Sequence, residues 1–75
     1  MSWRTDVIEA MPIGVELTAP MITDILRPNA KPWERRSIIS RVFKALQTEE
    51  QYSSVVRVGE RNIGNRKVIV WKRVF

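Results

Sequence analysis

From Pro32 to Gln47 apolar and polar positions recur with the period of a helix. Ile38, Ile39, Val42, Phe43 and Leu46 follow the spacing i, i+1, i+4, i+5, i+8. At ~100° per residue they fall within an arc of roughly 140°, a single buried stripe. Ser37, Ser40, Arg41 and Lys44 occupy the opposite arc, with Arg36 and Gln47 at its edges. The run has no glycine, and its one proline stands at the front, where a helix tolerates the missing N–H. The pattern predicts a helix over 33–47, with the polar stretch Thr48–Gln51 as its exit. The same geometry turns Arg35 toward the buried side, placed to pair with a carboxylate.

Shorter patterns flank this helix. Ser2 is placed to cap a helix over 3–11, with Trp3, Val7, Ile8 and Met11 inward and Pro12 as its stop. Ile13, Val15 and Leu17 alternate over 13–17, the mark of a short strand or extended connector. Thr18 then reads as the cap of a helix over 19–26, with Pro20 in its first turn, Met21, Ile22, Ile25 and Leu26 as its buried side and Pro28 as its end. From Tyr52 the period drops to two. The polar segment Gly59–Lys67 divides two β-rich runs, which predicts a hairpin over 52–74 with its loop at 59–67. A register with Val58 opposite Val68 and Val56 opposite Val70 would set valine against valine. The order is helix, short strand, helix, turn, helix, hairpin: one α+β domain over 1–75. A lone hairpin is marginal in water, so its apolar face is expected against the helices.

Composition removes most chemistry. The chain has no cysteine and no histidine, so disulfides, thiolate metal sites and any Ser-His or Cys-His nucleophile pair are excluded within it. The remaining route to an enzyme is carboxylates. Asp6 with Glu9, or Glu16 with Asp24, matches no metal or acid–base spacing, and all four lie apart from the cations. No catalytic residue, metal ligand or cofactor is expected, and no small-molecule substrate is evident. No apolar run approaches the ~20 residues of a membrane span, and the first residues lack the apolar stretch of a signal peptide, so a cytoplasmic location is expected. Net charge is +5, and its distribution is uneven. Residues 1–30 carry four carboxylates against Arg4 and Arg27. The cations gather in two blocks: Lys31, Arg35, Arg36, Arg41 and Lys44, then Arg57, Arg61, Arg66, Lys67, Lys72 and Arg73. Blocks of this kind suit a polyanion.

In this order the chain resembles the winged helix-turn-helix superfamily of DNA-binding domains over essentially its whole length. Val15–Leu26 looks like its strand and positioning helix, and Arg35–Leu46 like its recognition helix. The hairpin from about Tyr52 to Val74 looks like the wing. The resemblance implies a three-helix fold with a C-terminal hairpin wing that binds double-stranded DNA. The third helix would enter the major groove, presenting Arg36, Ser37, Ser40, Arg41 and Lys44, and the wing would bring Arg61, Asn62, Asn65, Arg66 and Lys67 to the backbone or minor groove. A small transcriptional regulator or DNA-organising factor follows, acting on nucleoid DNA or in a host-cell cytoplasm if viral. A homodimer is compatible with it, built through the first helix, the hairpin edge or the DNA itself. The proline-rich segment 27–32 is longer than the usual turn between the second and third helices.

Each feature has a plainer account. Cations on a solvated helix face keep a protein soluble, and charge on a hairpin edge blunts aggregation, which suffices for Lys72 and Arg73. Trp33, near the exposed arc, is placed to stack on a base or sugar or, as is commoner, to fold back over the small core, and Trp3 and Trp71 are expected within the core. Asn62 and Asn65 read as turn residues before base readers. The alternative function is a winged-helix module for protein–protein interaction within a larger assembly, without nucleic acid.

Overall fold

The apolar stripes organise residues 3–75, the residues described by the structure, which is a computed structural model; the cap expected at Ser2 lies outside them. Helices α1 (Trp3–Glu9), α2 (Ala19–Leu26) and α3 (Pro32–Gln51) combine with strands β1 (Glu16–Thr18), β2 (Val55–Ile63) and β3 (Arg66–Arg73) in the order α1, β1, α2, α3, β2, β3. The strands form an antiparallel sheet ordered β1-β3-β2. Val7, Met11, Leu17, Ile22, Val42, Leu46, Val55 and Trp71 make one core, to which every helix and every strand contributes.

Local chemistry sets each boundary. α1 stops at Glu9, short of the expected 11, because residues before Pro12 resist the helical region. Arg73 closes that end: its Nη1 donates to the carbonyls of Ile8 (2.9 Å) and Met11 (3.2 Å), and its Nε to that of Phe75. Arg73 is therefore a helix cap, not the solvated edge charge expected of it. The strand expected at 13–17 forms at Glu16–Thr18, with Ile13 making one isolated bridge to Arg73. Thr18 caps α2 by accepting from Met21 N–H (3.3 Å), and Thr23 Oγ1 donates to the Ala19 carbonyl (2.9 Å). The buried arc of α2 is Ala19, Ile22 and Thr23. Met21 and Ile25, expected inside, are exposed on its outer side.

α3 runs past the expected stop at 47 to Gln51. Tertiary partners hold the extra turn: Glu49 accepts from Arg4 Nε at 2.8 Å, and Glu50 from Arg57 Nε at 3.0 Å. A Schellman arrangement ends it, with Ser53 N–H on the Glu50 carbonyl and Ser54 N–H on that of Glu49, both at 3.0 Å. The left-handed position, usually glycine, holds Ser53 at φ 64°. Ser53→Gly is expected to raise stability by ~1 kcal/mol, read as a higher urea midpoint at unchanged slope.

The hairpin departs most from expectation. Ile63 lies opposite Arg66, so the loop is only Gly64-Asn65, with Gly64 at φ 61° in the first central position of a tight hairpin turn. That turn fixes the register. Arg61 pairs with Val68, Gly59 with Val70, and, beyond a bulge at Val58, Val56 pairs with Lys72. The expected Val58–Val68 and Val56–Val70 pairs do not form. The segment expected as a loop, 59–67, is mostly strand. Its polarity marks strand ends exposed on both faces, not loss of pairing.

Candidate nucleic-acid interface

Three arginines are committed to carboxylates: Arg4 to Glu49, Arg35 to Asp24 at 3.1 Å, and Arg57 to Glu50. The Glu49 hydrogen bond holds the Arg4 guanidinium above its ordinary value; arginine is charged either way, so binding gains no pH dependence from it. Arg35 thus takes the carboxylate its helical position anticipated. These pairs neutralise three arginines and leave a second set free. Among the described residues Arg36, Arg41, Lys44, Arg61, Arg66 and Lys67 make no ion pair, and all are exposed.

Their positions follow from the way α3 packs. Phe43 meets Trp71 edge to face, with ring centroids 5.9 Å apart, so one flank of α3 faces the hairpin. Trp3 and Arg4 of α1 share a hollow with Arg41, Lys44, Ala45 and Thr48, so the other flank faces α1. Between the flanks the outer surface of α3 carries Trp33, Ser37 and Ser40 in water. Arg41 lies at the α1 edge of that surface, its guanidinium 5.8 Å from the centre of the Trp3 ring, while Arg27 approaches the same ring at 5.4 Å.

On the opposite flank Arg36 shares a hollow with Arg66 of the hairpin, together with Ala30, Pro32, Arg35 and Ile39. A larger groove of about 590 Å³ runs between α3 and the hairpin, floored by Ile39, Phe43, Ile69 and Trp71 and edged by Arg35, Arg66 and Lys67. The structure therefore brings Arg36, Arg66 and Lys67 to one side of α3 and Arg41 and Lys44 to the other, with Ser37 and Ser40 between. Arg61 and Asn62 stand in paired strand positions, and Asn65 alone of the two asparagines is in the turn.

Two further residues stand beside this surface. Arg4, counted with the acidic front of the chain, stands beside Arg41 and Lys44; only the packing of α1 on α3 puts it there. Trp33 does not fold back over the core: it is 69% exposed, with the Lys31 ammonium 5.3 Å from its ring centre. Among the described residues no helix is long and apolar enough to cross a membrane. Comparison with protein-family models, with curated proteins and with solved structures finds no match to this chain.

Proposed function

We propose that the chain is a non-enzymatic winged helix-turn-helix protein that binds double-stranded DNA with some sequence preference, as a small transcriptional regulator or DNA-organising factor. α3 lies in the major groove, and the β2–β3 hairpin is the wing on the neighbouring backbone or minor groove. The observation that carries this reading is the sorting of charge. Carboxylates of other segments neutralise Arg4, Arg35 and Arg57, while six unpaired cations line α3 and the hairpin tip. Three helices with a three-stranded antiparallel sheet are compatible with the layout. Phosphate neutralisation supplies most of the affinity, and Arg41, Lys44 and the serines between the flanks supply the sequence preference.

The test is fluorescence anisotropy of a labelled random duplex at three salt concentrations. Micromolar or tighter binding is expected at low salt, with a log–log slope of about −3 to −5. Arg66→Ala is expected to make that slope shallower by about one unit for every sequence alike. Absence of binding at low salt would sink the reading. It would favour the second one, a protein-interaction module, to which the exposed Met21 and Ile25 of α2 lend support.

A further inference from the structure

Trp33 is the exposed aromatic on α3. It is 69% exposed, and it is absent from the core and from the side chains packed on it. Its surroundings are cationic. Lys31 reaches toward the ring, and a shallow hollow is walled by Pro32, Trp33 and Arg36. Arg36 is also a wall of the next hollow, which Arg66 lines. The nearby carboxylate, Glu34, lines a different hollow with Leu26, Arg27, Pro28, Asn29, Ala30 and Ile38, on the α2 flank. An aromatic plane, then Arg36, then Arg66 is a sequence of groups that matches a base followed by its phosphates.

We infer that Trp33 is a stacking platform for an unpaired nucleobase beside the duplex, with Arg36 on the adjoining phosphate. The inference rests on the duplex-binding reading and goes beyond it. A paired base has both faces covered by its neighbours, so an indole gains a stacking partner only where a base is bulged, flipped or at a frayed end. The protein then prefers duplexes that carry such a base. The charge around the ring also disfavours an apolar protein partner there, since Lys31 and Arg36 would lose water without gaining an acceptor.

The experiment compares a 20-base-pair duplex with the same duplex carrying one bulged adenine, using the full chain, Trp33→Ala and Trp33→Phe. The parent is expected to bind the bulged duplex about tenfold more tightly, in line with one stacked base. Trp33→Ala should erase that gain, so that the variant binds the two duplexes alike with the melting temperature unchanged, and Trp33→Phe should restore part of it. Equal affinity for the two duplexes would overturn the inference and leave the duplex reading standing, as would a gain that survives in Trp33→Ala. Failure to bind either duplex would remove the duplex reading, and the inference with it.

Discussion

Trp71→Ala is expected to cost ~3–5 kcal/mol, a large share of the stability of the domain. A chain of this size has a total stability of only ~4–11 kcal/mol to lose. The side chain is fully buried and is the largest in the core. It sits on the central strand, opposite Leu17 of β1 and Arg57 of β2. Phe43 of α3 packs edge-on against it, and the Arg57 guanidinium stands 4.9 Å from its ring centre. Removing it opens a void where sheet and helices meet. Urea unfolding followed by far-UV circular dichroism measures the loss. Trp71→Phe sharpens the test. The buried indole Nε1 has no hydrogen-bond partner, so phenylalanine loses packing but also removes an unsatisfied donor that costs ~1–3 kcal/mol. It is expected to be much the milder of the two. A Trp71→Ala chain within ~1 kcal/mol of the parent would show that the sheet is held to the helices by something else.

The three helices, and the change of period that marks the hairpin, were legible in the sequence because each is written within one segment. Val42 and Leu46 repeat at helical spacing, and Thr18 with Pro20 marks a helix start that needs nothing from the rest of the chain. The misreadings share a physical cause. Thr48–Gln51 reads as a polar exit, yet Glu49 and Glu50 continue the helix because Arg4 and Arg57 reach them from distant segments. The stop at Ser53 was hidden because a serine, not a glycine, takes the left-handed position. In α2 the apolar positions outnumber what the core can cover. Small Ala19 and Thr23 go inward, and Met21 and Ile25 stay in water. The strand ends around the Gly64-Asn65 turn looked like a loop because polarity was taken for absence of structure. The bulge at Val58, which shifts the register, has no signature in this sequence beyond the glycine that follows it.

The candidate interface was legible as a list of residues more than as an arrangement. The five positions chosen on α3 and the five on the hairpin are all exposed, since helix period and strand ends both follow from local pattern. Which cations stand together does not. Arg36 joins Arg66, and Arg41 joins Arg4, through packing between segments. Trp33 is bare although an indole is more often covered, because the core is completed by other side chains.

The second large effect is expected from the triple variant Arg36→Ala, Arg41→Ala, Lys44→Ala. None of the three is in an ion pair among the described residues. The fold should lose little more than the contact of Arg41 with Trp3, worth ~0.5–1 kcal/mol at an exposed site. Duplex affinity at low salt is expected to fall about 100-fold, as the loss of three contacts at ~1 kcal/mol net each would require. Each phosphate neutralised contributes ~0.9 to the log–log salt slope, so the loss of three cations should make it shallower by at most roughly 2.7. The matched hairpin variant, Arg61→Ala, Arg66→Ala, Lys67→Ala, should reduce the slope similarly but leave the ranking of sequences untouched. The α3 variant should flatten that ranking, because Arg41 and Lys44 are the long side chains placed to reach base edges. If the α3 variant keeps the parent's affinity and slope, α3 is not in the groove. If both variants lower the slope and neither changes the ranking, the protein binds DNA by charge alone. The serine-lined surface between the two cationic flanks is then a spacer rather than a reader.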